Sequence, residues 1–352
     1  MLRELSGCWT AVVTPLRKDF SIDWEGFETN IDFQDSAIVS GVVLVGTTGE
    51  SPTLTEKEQG WVISKMTGFI NNNVYSLLCI AGCGSNSTEK AIHLAEVAGV
   101  ANCDGILLVD PYYNGPSSLE IREEYYRKIA RRFRDIAVIP YIIPGRTGCE
   151  LLAVDLAILA RKCPNIVGVK EATGNFERMR LTRRLTKRGF QIVSGDDDKT
   201  FGMMTDPEIK AAGVISVISN VAPHAIQRMC NAILRKRINE AQHIRDALSP
   251  LFGVVTVTQK RVEMVRGQEV EVADKFRNPL PIKTMMQGLG MPAGPCRPPL
   301  GKMTFQGVVA VRDALIQVWE KNPWVLEPIE DHYEVSVRER LENDAIWQKL
   351  AY

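Results

Sequence analysis

Several things are missing from this chain of 352 residues, and each absence narrows what it can do. No CxxC pair occurs among its eight cysteines, and several of them lie inside apolar, strand-like runs. Zinc-ribbon and disulfide-framework readings are therefore weak, and ordinary thiols in a reducing compartment are expected. Histidine is scarce, with four residues at 93, 224, 243 and 332, and no two stand at metal-ligand spacing. The N-terminal stretch MLRELSGCWTAVVTP lacks the apolar core of a secretory signal, and no apolar run approaches the length that spans a bilayer. A cytoplasmic protein is expected. Lys plus Arg is 42 and Asp plus Glu is 42, so there is no excess charge of either sign. Such a balance offers no global attraction for nucleic acid or anionic membrane. The G-x-G-x-x-G loop of a dinucleotide-binding fold is also missing after the first strand-like run.

What is present has a rhythm. Eight short apolar runs alternate with amphipathic ones: 7–15, 41–46, 75–82, 103–110, 136–143, 165–170, 190–195 and 211–217. The runs are continuously apolar, as expected of parallel strands covered on both faces. Segments such as 24–37, 117–134 and 151–163 between them carry helical periodicity. This count predicts an α/β fold, a (β/α)8 TIM barrel over 1–235, with a C-terminal helical appendage over 236–322. Within the appendage, 254–277 alternates polar and β-branched residues around Gly267 and predicts a hairpin or extended arm. The remainder, 323–352, is expected to pack on the barrel or on a partner subunit.

Reactive groups of such a barrel gather where strands end. The second run leads into GTTGES, whose glycines and paired threonines, Thr47 and Thr48, can hold a small carboxylate or simply start a helix. The fourth run ends in DPYYNGPS, a candidate site loop or a packed turn. Tyr141 lies in the fifth run, and Arg146 on the loop beyond it presents a fork suited to a carboxylate or to a surface salt bridge. The sixth run, NIVGVK, ends on Lys170, which packing does not require. An apolar surround lowers a lysine's pKa, and the neutral amine can then attack a ketone to form an iminium. A phenol on the neighbouring strand, Tyr141, can move the protons. A salt-bridged lysine at the barrel mouth is the alternative. SGDDD at 194–198 is read as helix N-terminal stabilisation rather than as a metal site.

Taken in order, GTTGES, PYYNGPS, YIIPGRTG, VGVKEATGN, SGDD and GVISV resemble the dihydrodipicolinate synthase / N-acetylneuraminate lyase family of class I lyases. The resemblance runs from about residue 6 to 235, and more loosely through PLPIK and CRPPL. It implies that Lys170 forms a Schiff base with pyruvate and that no other cofactor and no metal is needed. It implies a proton relay of Tyr141, Thr47 and Tyr113, with Tyr113 crossing a dimer interface. Thr48 would bind the pyruvate carboxylate, Gly195 and Ile215 would line the pocket, and Arg146 would take the carboxylate of the second substrate. The RTG pattern resembles the synthase branch, which condenses pyruvate with aspartate-semialdehyde. Lyases of 2-keto-3-deoxy acids are the alternative, and a silent scaffold paralogue a remote one. The resemblance also implies a homo-oligomer, a dimer or a dimer of dimers. Three departures stand out. Ile142 replaces a usual Asn. Glu56, Gln59 and Lys90 replace residues of a lysine-feedback pocket, which predicts weak inhibition by lysine. The chain is also longer than usual, and the surplus in 254–277 and the tail is expected to serve subunit association.

Overall fold

The computed structural model describes residues 4–73 and 75–352. Eight parallel strands close into one barrel in sequential order: β1 Gly7–Ala11, β2 Gly41–Leu44, β3 Leu78–Gly82, β4 Gly105–Val109, β5 Ala137–Ile142, β6 Gly168–Glu171, β7 Gln191–Ser194 and β8 Gly213–Ser216. β8 closes on β1 through the register Trp9 with Ile215. The two faces of each strand explain why these runs lack alternation. Trp9, Val43, Ile80, Ile139, Val193 and Ile215 fill the barrel interior. Their neighbours Cys8, Val42, Cys79, Val138, Ile192 and Val214 face the surrounding helices. Both sets are removed from water, so both must be apolar.

The expected runs overshoot most strands by a few residues, because the apolar character continues into buried loops. The difference matters at β6. Ile166 makes only an isolated bridge to Val138, and the strand itself is Gly168–Glu171. Lys170 is thus inside the strand, in register with Tyr141 and Val193, rather than at its end. Ile142 points outward and is fully buried among the helices.

After the helix Pro223–Leu234 comes the helix Ile238–Phe252 and then an antiparallel hairpin, β9 Thr256–Val265 and β10 Gln268–Arg277. Arg266 and Gly267 at its tip both have positive φ, 51° and 80°. Two left-handed residues in sequence give the primed turn that matches strand twist. Two further helices follow, Leu280–Leu289 and Phe305–Lys321.

The tail from Pro323 packs on its own chain. Trp347 is 1% exposed and lies over Gly288, where an added Cβ would come within 2.1 Å of the indole. Arg340 donates to the carbonyls of Gly288 at 2.7 Å and Gln287 at 2.9 Å. These carbonyls lie at the end of the helix Leu280–Leu289, where Gln287 O also accepts from the Gly290 N–H at 3.2 Å, so Arg340 adds to the cap of that helix end. No helix among the described residues is long and apolar enough to cross a membrane.

Candidate active site at the barrel mouth

A cavity of about 380 Å³ opens at the C-terminal ends of the strands. Lys170 reaches it from β6 and is only 5% exposed. Its Nζ lies 4.3 Å from the centroid of the Tyr141 ring. No ion pair or hydrogen-bond acceptor is found for it among the described residues. Burial therefore dominates and lowers its pKa to about 8, against the opposing pull of Asp196 and Asp197 and with a smaller contribution from Arg146. At pH 7 roughly one such amine in ten is neutral, against fewer than one in a thousand for a free lysine.

Tyr141 is itself pushed well above its ordinary range by burial, with Asp196 adding to the effect. Arg146 and a hydrogen bond with Thr47 oppose that shift. A phenol held protonated beside a partly neutral amine can donate to oxygen developing at the captured carbon.

The loop carrying Thr47 is shaped by backbone strain. Val45, at the exit of β2, has φ of 55°, an unusual conformation for a β-branched residue. Its carbonyl is accommodated because Gly82 has no Cβ; one built there would lie 2.4 Å from Val45 O. Gly195 makes room in a similar way: a Cβ would sit 3.1 Å from Lys170 Cε and 2.7 Å from Ala172 Cβ. Thr47, Thr48 and Gly195 all line the cavity, as does Arg146.

Two expected site residues lie elsewhere. Ile215 is fully buried in the barrel interior beneath the cavity, and Val217, two residues on, is the β8-side residue that reaches it. Tyr113 is 89% exposed, with φ of 82°, and does not line the cavity of its own chain.

The acidic run divides its work. Asp197 accepts from Ser216 Oγ and from the backbone N–H groups of Val217 and Ile218 at 2.9 and 3.1 Å, so it caps the turn after β8. Asp198 pairs with Lys199 at the surface. Half-buried Asp196 lines the cavity, and burial raises its pKa to about 6 even though Lys170 favours its charge. It went unassigned in the sequence because three adjacent acids cannot be told apart before the loop's path is known.

Also unforeseen was the base of the hairpin. Val255, Thr256, Lys275, Arg277 and Asn278 all line the cavity. Asn278 Nδ2 donates to Thr48 Oγ1 at 3.1 Å, and its carbonyl accepts from Arg146 at 2.9 Å.

Residues 4–318 match the model of the dihydrodipicolinate synthetase family. The chain belongs to that family. Among its relatives is the 4-hydroxy-tetrahydrodipicolinate synthase of Methanothrix thermoacetophila, 36% identical over 313 residues, 89% of this chain and 96% of that one. The Thermotoga neapolitana enzyme of the same name is 34% identical, over 84% of this chain and 92% of its own. The solved Aquifex aeolicus dihydrodipicolinate synthase superposes with a TM-score of 0.80 at 32% identity, covering 92% of this chain and all of that one. The protein is a lyase of the dihydrodipicolinate synthetase family, and the barrel-mouth cavity of this family member holds the lysine and tyrosine described above.

Proposed function

We propose that the chain is a pyruvate-dependent class I aldolase that condenses pyruvate with aspartate-semialdehyde to 4-hydroxy-tetrahydrodipicolinate. The observation that carries this reading is Lys170: sheltered, without a counter-ion in contact, stacked on a phenol and brought to a pKa of about 8. The neutral amine adds to the keto carbon of pyruvate, and loss of water leaves an iminium. The iminium draws electrons from the methyl group, which gives up a proton and becomes an enamine carbon. That carbon attacks the aldehyde, whose oxygen takes a proton to become a hydroxyl. The product amine then displaces Lys170 as the ring closes.

Tyr141 and Thr47 move these protons, and Tyr113 from a second copy completes the relay. Its exposure in the single chain supports that role, and a dimer or dimer of dimers is the assembly proposed. Thr48 holds the pyruvate carboxylate, and Gly195 leaves space beside the amine. A related enzyme from Acinetobacter baumannii, 30% identical, has been solved with pyruvate bound, which supports pyruvate as the first substrate here.

A panel of aldehydes offered with pyruvate tests the assignment. Turnover of aspartate-semialdehyde is expected, and preferred turnover of polyhydroxylated aldehydes would move the chain to the sugar-acid lyases. Free lysine is expected to inhibit weakly, since Lys90 is held by Glu56 at 2.8 Å and Gln59 is committed to the Ser51 carbonyl at 2.6 Å. Half-maximal inhibition below a millimolar would contradict that.

A further inference from the structure

The hairpin β9–β10 brings charge to the cavity from far along the chain. Its two faces differ. Val257 and Phe276, opposed across the ladder, pack toward the core, and Val257 is 4% exposed. Thr256 and Arg277, the next opposed pair, line the cavity with Lys275. Strand alternation thus puts Lys275 and Arg277 on the face toward the barrel mouth.

Arg277 and Arg146 hold one another's surroundings. Arg146 Nη2 donates to the carbonyl of Asn278, the residue after Arg277, at 2.9 Å. Arg277 Nη1 donates to the carbonyl of Gly145, the residue before Arg146, at 3.2 Å. Each guanidinium is therefore anchored on the backbone beside the other. Partial enclosure, and then the like charge of Arg277, draw Arg146 below its ordinary range, while Tyr141 and Asp196 oppose this; Arg146 keeps a solvent-exposed face. Neither arginine nor Lys275 makes an ion pair among the described residues. Besides the Tyr141 phenol, the cavity's ionisable wall has Lys170, Arg146, Lys275 and Arg277 against Asp196 as its one carboxylate among the described residues. Two like charges anchored side by side with free N–H donors invite an anion between them.

We propose that Arg277, delivered by the hairpin, forms with Arg146 a two-guanidinium clamp for a carboxylate of the acceptor aldehyde, and that Lys275 reinforces it as a point charge. The assignment rests on the aldolase reading above and deepens it. It makes the hairpin a specificity element, selecting aldehydes that carry an anionic group over neutral ones of the same length. Arg146 alone would supply one fork; the second comes from an element outside the barrel. Arg277 acts on binding of the acceptor and not on capture of pyruvate.

The test uses the full-length enzyme after reduction with borohydride in the presence of pyruvate, which blocks turnover. Isothermal titration then measures binding of aspartate-semialdehyde and of its carboxylate methyl ester. The wild type is expected to bind the acid more tightly than the ester. Arg277→Ala should weaken the acid roughly tenfold to a hundredfold, the range of a lost charge-assisted hydrogen bond, and leave the ester unchanged. Arg277→Lys should recover part of the loss, Lys275→Ala should show a smaller one, and added salt should shrink the acid's advantage. Equal binding of acid and ester by the wild type, or an Arg277→Ala variant that binds both as the wild type does, would overturn the clamp while leaving the lysine chemistry intact. If instead the wild-type enzyme takes up no pyruvate on Lys170, the aldolase reading fails, and the clamp with it.

Discussion

Two buried lysines in this protein live under opposite rules. Lys283, 1% exposed at the seam between the barrel and its C-terminal helices, meets Glu50 Oε1 at 2.6 Å and the carbonyls of Pro295 at 2.8 Å and Thr14 at 3.3 Å. All three of its ammonium protons have acceptors, and its charge has a buried partner that is itself held by Arg297 N–H at 2.9 Å. Lys170, also buried at 5% exposure, faces an aromatic ring and open cavity. The chain thus satisfies a buried ammonium where it wants cohesion and leaves one unsatisfied where it wants a nucleophile. The difference lies in the neighbours, because burial alone does not distinguish the two sites.

Removing each amine separates the two sites by the largest margin. Lys170→Met is expected to abolish turnover and pyruvate trapping yet to stabilise the fold. The sign follows from linkage. A lysine whose pKa is about 8 when folded and near 10.4 when unfolded binds more protons unfolded between those values. Stability therefore rises with pH across that window, and the penalty is complete below it, on the order of 3 kcal/mol at pH 7. Lys283→Met has the reverse sign. It strands Glu50 in the interior and should cost about 3–5 kcal/mol, read as a lower midpoint in urea. If Lys170→Met destabilises and Lys283→Met does not, the contrast is wrong.

Next in size, Tyr141→Phe removes the phenol and keeps the ring over Lys170. A loss of kcat by roughly 10²–10⁴ is expected, with slow pyruvate trapping retained, measured by steady-state kinetics beside mass analysis of the adduct. Wild-type turnover would take Tyr141 out of the mechanism. On the cohesive side, Trp347→Ala opens a cavity over Gly288, close to the Lys283 helix. It should cost about 3–5 kcal/mol in chemical denaturation without altering the pH profile of trapping. The smallest effect sharpens the reactive side. Asp196 holds the Lys170 pKa up, so Asp196→Asn should move the rising limb of the trapping rate to lower pH. An unmoved limb would show that Asp196 does not act on the amine.

Much of the reactive region was legible in the residues themselves. A lysine in an apolar strand and a tyrosine in the preceding one are visible anomalies, and consecutive parallel strands make them neighbours; the register that sets Tyr141 opposite Lys170 comes from the structure. The eightfold alternation was equally plain, since doubly covered strands must be apolar on both faces. What could not be read was contact between distant segments. Asn278 reaches Arg146 across 132 residues of sequence, and no periodicity announces it. The hairpin was visible as alternation around Gly267, but which face would turn to the barrel mouth depended on where Phe276 and Val257 found apolar cover. Ile215 shows the same limit in reverse: a one-layer shift along β8 separates the barrel core from the cavity wall. The tail's Trp347 could have met a partner subunit as well as its own chain. The close approach allowed by Gly288, with the Arg340 bonds to the carbonyls of Gly288 and Gln287, decides for the latter.

Burial makes Lys170 a nucleophile near neutral pH, and the rate of hydride trapping with pyruvate as a function of pH, followed by peptide mass mapping, probes this on the amine itself. A single three-carbon adduct on Lys170, with a rate that reaches half its plateau near pH 8, is the predicted result. No adduct on that side chain, or a half-plateau near the ordinary lysine value of about 10.4, would contradict it.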